Sequence, residues 1–192
     1  MSRLGKAFFA VLVAASLGAA QFSSAAHGMD VALDASAAAQ ACTAAASRGA
    51  SAIDKLEGNI GCFINRERTR RGLRPFGFND RLAKAAGGHA RDMVRHCYFA
   101  HTSPAGSTVA GRVRRTGYLK GARRWTAGET IAWMSPRDNP GRTVVRMWLN
   151  SPPHRALLLS PELREVGLGI ARGVPACPGK GLTFVADLGR RW

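Results

Sequence analysis

Acidic side chains are scarce in this sequence. Its 192 residues hold 12 Asp and Glu against 28 Lys and Arg, a formal net charge of +16 at pH 7, which favours anionic partners. Residues 93 to 128 contain no carboxylate, while seven Lys or Arg fall in that span. Lysine is scarce too. Of the 28 cations 23 are arginine, the side chain that grips phosphates and carboxylates through paired hydrogen bonds. No pair of the four cysteines has CxxC spacing, which argues against a redox motif or a structural zinc knuckle. HExxH, GxSxG, GxxxxGK[ST] and EF-hand patterns are all absent, which removes the enzymes and calcium modules that depend on them. Long apolar runs are missing as well. The longest, Ala7 to Ala20, falls short of the ~20 residues of a spanning helix, so no transmembrane segment is expected.

What is present points out of the cytoplasm. Arg3 and Lys6 precede that apolar run, and Ser24-Ala25-Ala26 supplies small residues at the −3 and −1 positions of a signal-peptidase site, so residues 1–26 read as a secretory signal peptide cleaved after Ala26. A secreted, extracellular protein follows, in which four cysteines make two disulfides. Three connectivities are open. The favoured one joins Cys42 with Cys62, stapling the N-terminal arm to the first helix, and leaves Cys97 with Cys177. Apolar residues at 46% and charged residues at 21% are those of a folded globular chain, here one domain, with a monomer as the default.

Residues 27–52 form an arm dominated by Ala and Ser, and the domain proper spans 53–192. Ile53, Leu56, Ile60, Phe63 and Ile64 recur at helical spacing behind Ser51, and Gly72 ends that helix. Asn79-Asp80 opens a second helix running to about His96. A short basic helix covers about Val109 to Thr116. The alternation from Trp125 to Trp133 predicts a strand, and Asn139-Pro140 and Ser151-Pro152 each start a further helical segment. Two closing strands, built on Val166, Leu168, Ile170 and on Leu182, Phe184, Ala186, Leu188, are expected to pair antiparallel across the turn at 175–181. Glycines alternating in the first of them, Gly167 and Gly169, imply close packing against a neighbour. Helices first, then strand, helix and hairpin, is an α+β order.

Three polar residues stand beside turn chemistry on different elements: His101, Glu129 and His154. Brought together by folding, two imidazoles and a carboxylate would suit a zinc site with an open position, or an acid/base pair without metal. His89 is expected as a core or boundary histidine, and Ser103 as a turn residue before Pro104. His27 and His96 have no informative context. The arginine runs at 66–71, 112–115 and 123–124 read as solvated faces; no recognition motif accompanies them, and no specific nucleic-acid partner is expected.

Asn65-Arg66-Glu67-Arg68, His89-Ala90-Arg91-Asp92-Met93, Phe99-Ala100-His101-Thr102-Ser103-Pro104, Gly128-Glu129-Thr130-Ile131-Ala132, Ser151-Pro152-Pro153-His154-Arg155 and Val166-Gly167-Leu168-Gly169 occur in that order. Together they resemble a bacterial CAP (SCP-like) domain, of the superfamily of cysteine-rich secretory proteins, venom allergens and plant pathogenesis-related proteins, over about residues 54 to 190. The resemblance implies a three-layer α-β-α sandwich with a small antiparallel sheet and a central cavity lined by two histidines and two glutamates, which binds zinc in some members. His101 and His154 match the histidines and Glu129 one glutamate. Ser151 stands where many animal members carry the second, so the His-His-Glu remainder would hold any metal. The fold hosts both binding and proposed hydrolytic roles. Two functions are therefore expected: a secreted module binding a lipid or anionic cell-envelope component through this cleft, or a metal-dependent hydrolase of peptide or cell-wall substrates.

Overall fold

The computed structural model describes residues 51–135 and 139–192; the segment read as a signal peptide, nearly all of the segment read as an arm, and Cys42 lie outside them. The helices begin where local chemistry dictates. Helix α1 (Ala52–Thr69) opens on a reciprocal box in which the Ser51 hydroxyl accepts from the Asp54 amide and the Asp54 carboxylate accepts from the Ser51 amide, satisfying two otherwise orphaned donors. Asn79 caps helix α2 (Asp80–Arg95) by accepting from the Arg81 and Leu82 amides. Thr108 caps α3 (Val109–Arg115) by accepting from the Gly111 amide. Asn139, in the left-handed region at φ 48°, caps α4 (Pro140–Asn150), with proline in the first turn. Helix α5 (Pro152–Leu158) also starts on proline, although Ser151 makes no side-chain cap bond.

Strands β1 (Gly77–Phe78), β2 (Trp125–Met134), β3 (Glu165–Arg172) and β4 (Leu182–Arg191) form one sheet in the order β1-β3-β4-β2. The pairs β3–β4 and β4–β2 are antiparallel as expected, but β1 joins β3 in parallel. The sheet is therefore mixed. Two residues are too few to show a period in sequence, and β1 is held by its flanks: Gly77 donates to the Arg164 carbonyl and Asn79 to that of Val166.

Helices flank both faces, and the alternation of the strands sorts side chains between them. Ala132, Val166, Leu168, Ile170, Phe184, Ala186 and Leu188 pack with Ile60, Ile64, Val144 and Trp148 from α1 and α4. On the other face Ile131, Ala171 and Val185 meet Ala86, Ala90 and Met93 of α2. Glycine lets α2 come this close. A Cβ at Gly167 would overlap the backbone of Leu82 and Ala83, and one at Gly169 that of Ala86 and Gly87. The α2 face also presents Glu129 and Asp187, directly opposed in the β2–β4 register.

Candidate functional site

The loop that carries His101 is fastened at each end. Cys97 takes a left-handed conformation, φ 53°, just past α2, and its disulfide to Cys177, with Cα atoms 5.4 Å apart, ties it to the β3–β4 connection. Buried His89, on α2, donates Nε2–H to the Ala100 carbonyl at 3.0 Å. Ser103 closes a turn: its hydroxyl accepts from the Ser107 amide, while its own amide donates to the Ser107 carbonyl. It is a turn residue, as its place before Pro104 implied. From α3, Arg112 donates to the carbonyls of Ser107, at 2.7 Å, and of His101, at 2.9 Å.

Arg112 also reaches the carboxylate at the centre. Its Nη2 lies 2.7 Å from Glu129 Oε2, and His101 Nδ1 lies 2.7 Å from Oε1, with His89 Nε2 3.7 Å from that same oxygen. Burial by itself would raise the pKa of Glu129, which is only 4% exposed; the His101 hydrogen bond and the Arg112 and His89 charges outweigh it and hold the carboxyl below its ordinary range. An ionised Glu129 requires the proton on His101 Nδ1, leaving Nε2 as the free nitrogen of a half-exposed ring. His154 enters from α5, placed by the turn after Trp148, with its ring centroid 6.2 Å from that of His101 in an edge-on arrangement. Burial, helped by the adjacent His101, lowers its pKa, so the ring is neutral at neutral pH.

Folding thus brings His101, Glu129 and His154 together. It also recruits Asp187, which sequence reasoning did not single out, and Arg112, which was read as part of a solvated arginine face but is buried. Arg112 had a signal: in a stretch without carboxylates, a buried arginine needs a counter-charge, and Glu129 is the first one past it. Asp187 lies on the β4 parity that faces α2, fully buried, and neither of its oxygens has a hydrogen-bond partner among the described residues. Burial first, then the charge of Glu129, raises its pKa well above the usual range. The two opposed carboxyls therefore carry one negative charge between them.

The donor set fits an oriented imidazole better than a zinc centre. Both Glu129 oxygens are engaged, by His101 and Arg112, and among the described residues no group of three His, Cys, Asp or Glu side chains is arranged to hold a metal ion. Glu129 stands behind His101 as the carboxylate that orients it. Beside Arg112 and His89 a cavity of about 690 Å³ opens between α2 and α3, with Lys84, Arg91, Asp92, Ser103 and Arg115 among its lining residues. Its size is that of a small-molecule pocket.

Among known proteins, the family model of cysteine-rich secretory proteins, CAP, matches residues 63–177. The Bacillus subtilis protein YkwD is 31% identical over 119 residues, 62% of this chain and 44% of its own length. The Bacillus subtilis membrane protein YlbC is 32% identical over 105 residues, 55% and 28% respectively. The chain spans less than half the length of these relatives. An extracellular protein containing an SCP domain, from Bacillus anthracis, superposes with a TM-score of 0.58 at 28% identity, over 72% of this chain and 41% of that one. An outer surface protein of Borrelia burgdorferi, at 22% identity, shares the fold with a TM-score of 0.58 over 69% of this chain and 90% of its own. Among the described residues no helix is long and apolar enough to cross a membrane. With its matched residues, its helices on both faces of a small mixed sheet and these neighbours, the chain belongs to the cysteine-rich secretory protein (CAP) family and is a secreted, extracellular protein.

Proposed function

We propose that this protein is an extracellular binding module that holds an anionic component of the cell envelope, a lipid or a wall fragment, at the cleft of His101, Glu129 and His154 and in the cavity beside it. The observation that carries this reading is the connection between the two: Arg112 lines the cavity and is hydrogen bonded to both Glu129 and the His101 backbone. A cavity of about 690 Å³ lined by Lys84, Arg91 and Arg115 besides Arg112, against the one carboxylate of Asp92, carries a net positive charge where an anion would enter. The other reading, a metal-dependent hydrolase of peptide or cell-wall substrates, needs a third ligand beside His101 and His154, and both Glu129 oxygens already accept hydrogen bonds, from His101 and Arg112.

The test is retention of the full secreted protein on anionic phospholipid vesicles and on cell-wall extract, at low salt and at about 150 mM, where screening is confined to roughly 8 Å. Saturable retention that persists at the higher salt and falls at least fivefold in a His101→Ala, His154→Ala variant supports the reading. Absence of retention on both materials refutes it.

A further inference from the structure

The arginine run at 66–71 is left unused by the cleft, and the fold gives it company. Along the outer side of α1 and α4 lies a groove of about 380 Å³, into which α1 brings Arg66, Arg70 and Arg71, α4 brings Arg142 and Arg146, and α5 brings Arg155. Gly141 of α4 sits against the side chains of Leu56, Ile60 and Phe63 of α1. One carboxylate, Glu67, faces these six guanidinium groups. It is shared already, with Arg70 at 2.8 Å and Arg71 at 2.7 Å. Arg142 lies over the Phe63 ring at 5.6 Å, and Arg155 donates its Nε to the Leu149 carbonyl. Arg66 and Arg146 have no ion-pair partner among the described residues.

Like charges gathered from three helices repel one another, and that repulsion is relieved when an anion enters. We infer that this groove is a second binding site, for the phosphoryl group of an envelope molecule. The groove's cations are all arginine, whose planar forks pair with oxyanions two bonds at a time. A carboxylate offers two coplanar oxygens, whereas a phosphoryl group presents oxygens in several directions, matching guanidinium groups that arrive from three helices. The inference rests on the reading of the protein as an envelope-binding module and gives that reading a chemical class of ligand. Arg155 follows His154 directly in α5, so cleft and groove share an element, and one extended molecule could engage both.

The experiment measures affinities of the full secreted chain at about 150 mM salt for inorganic phosphate, a glycerol phosphate oligomer, vesicles of phosphatidylglycerol in phosphatidylcholine, and polyglutamate. Arg66→Gln with Arg146→Gln removes from the groove two charges without an ion-pair partner among the described residues; Arg95→Gln with Arg114→Gln removes the same charge from the opposite side of the sheet, and thermal melting checks that both variants fold. At least a tenfold loss of affinity for the oligomer or the vesicles in the groove variant, against less than twofold in the control, is expected. Binding confined to the vesicles would assign the phosphoryl group to a lipid headgroup, and binding of the oligomer to a polymer. Equal losses in both variants, equal affinity for polyglutamate, or no saturable binding of any phosphate probe would overturn the inference. If the groove variant binds normally while His101→Ala with His154→Ala does not, the groove is refuted and the cleft reading stands.

Discussion

At the scale of single residues, Glu129 and Asp187 are opposed carboxyls with unequal roles. Glu129 is ionised because Arg112 and His101 surround it; Asp187 is neutral because burial and that neighbouring charge keep its proton on. Glu129→Gln leaves the Arg112 guanidinium buried without a counter-charge and is expected to destabilise by about 3–5 kcal/mol. Asp187→Asn substitutes one neutral group for another of similar shape and is expected to stay within about 1 kcal/mol at neutral pH. Urea midpoints of the two variants decide it, and a reversed order would mean that the charge sits on Asp187. A third carboxyl sets a pH dependence. Burial lifts Glu57 to about 7, against the favourable bond it accepts from the Ile170 amide at 3.0 Å. The folded state then binds the proton more tightly than the unfolded one, so this group's contribution is full below its ordinary value of 4.5 and is lost as pH rises towards about 7. Between those limits Glu57→Gln should flatten the fall in stability with pH, which melting temperatures of both proteins across pH 4–8 would show.

At the scale of elements, the packing of α2 on β3 turns on missing side chains. Gly169→Ala pushes a methyl into the Ala86–Gly87 backbone, where no flexible group can yield, and is expected to cost several kcal/mol or to prevent folding. Gly88, on the same helix, has nothing within 4 Å of the site of a Cβ, so Gly88→Ala should stabilise by roughly 0.5–1 kcal/mol through helix propensity. Opposite shifts in melting temperature are the result to look for. The alternating glycines implied this contact from sequence, since a strand carries glycine where another backbone comes near. Element starts were equally legible, because Ser51, Asn79 and Asn139 act on amides two or three residues away. Strand β1 was not, being held by bonds to residues far along the chain, at 164 and 166. The connection at 74–76 is another such case. Asn65 donates to the Phe76 carbonyl and accepts from its amide, and Arg68 reaches the Arg74, Leu158 and Ser160 carbonyls from the end of α1.

At the scale of the whole molecule, the disulfide between Cys97 and Cys177 closes a loop of 80 residues. Chain-entropy arguments put its contribution at about 4 kcal/mol. Replacing both cysteines with serine is expected to lower stability by that order and to speed amide exchange in the loop carrying His101 more than in α1, because the loop loses its anchor while α1 keeps its own packing. Uniform acceleration would show that the bond acts only on global stability. The cysteine count left three pairings open, and the position of Cys97 after α2, beside the β3–β4 connection, selects this one.

The sequence by itself determined the α+β order, the helix starts and the family, because capping, alternation and motif order act over short spans of chain. It also marked His101, Glu129 and His154, though not what each touches. Tertiary structure alone decided that Glu129 is filled by Arg112 and His101, that Asp187 lies beside it as a neutral acid, and that arginines from three helices meet in one groove. Those outcomes depend on distances between residues far apart in the chain, and on how burial divides charge among them, and local sequence carries neither.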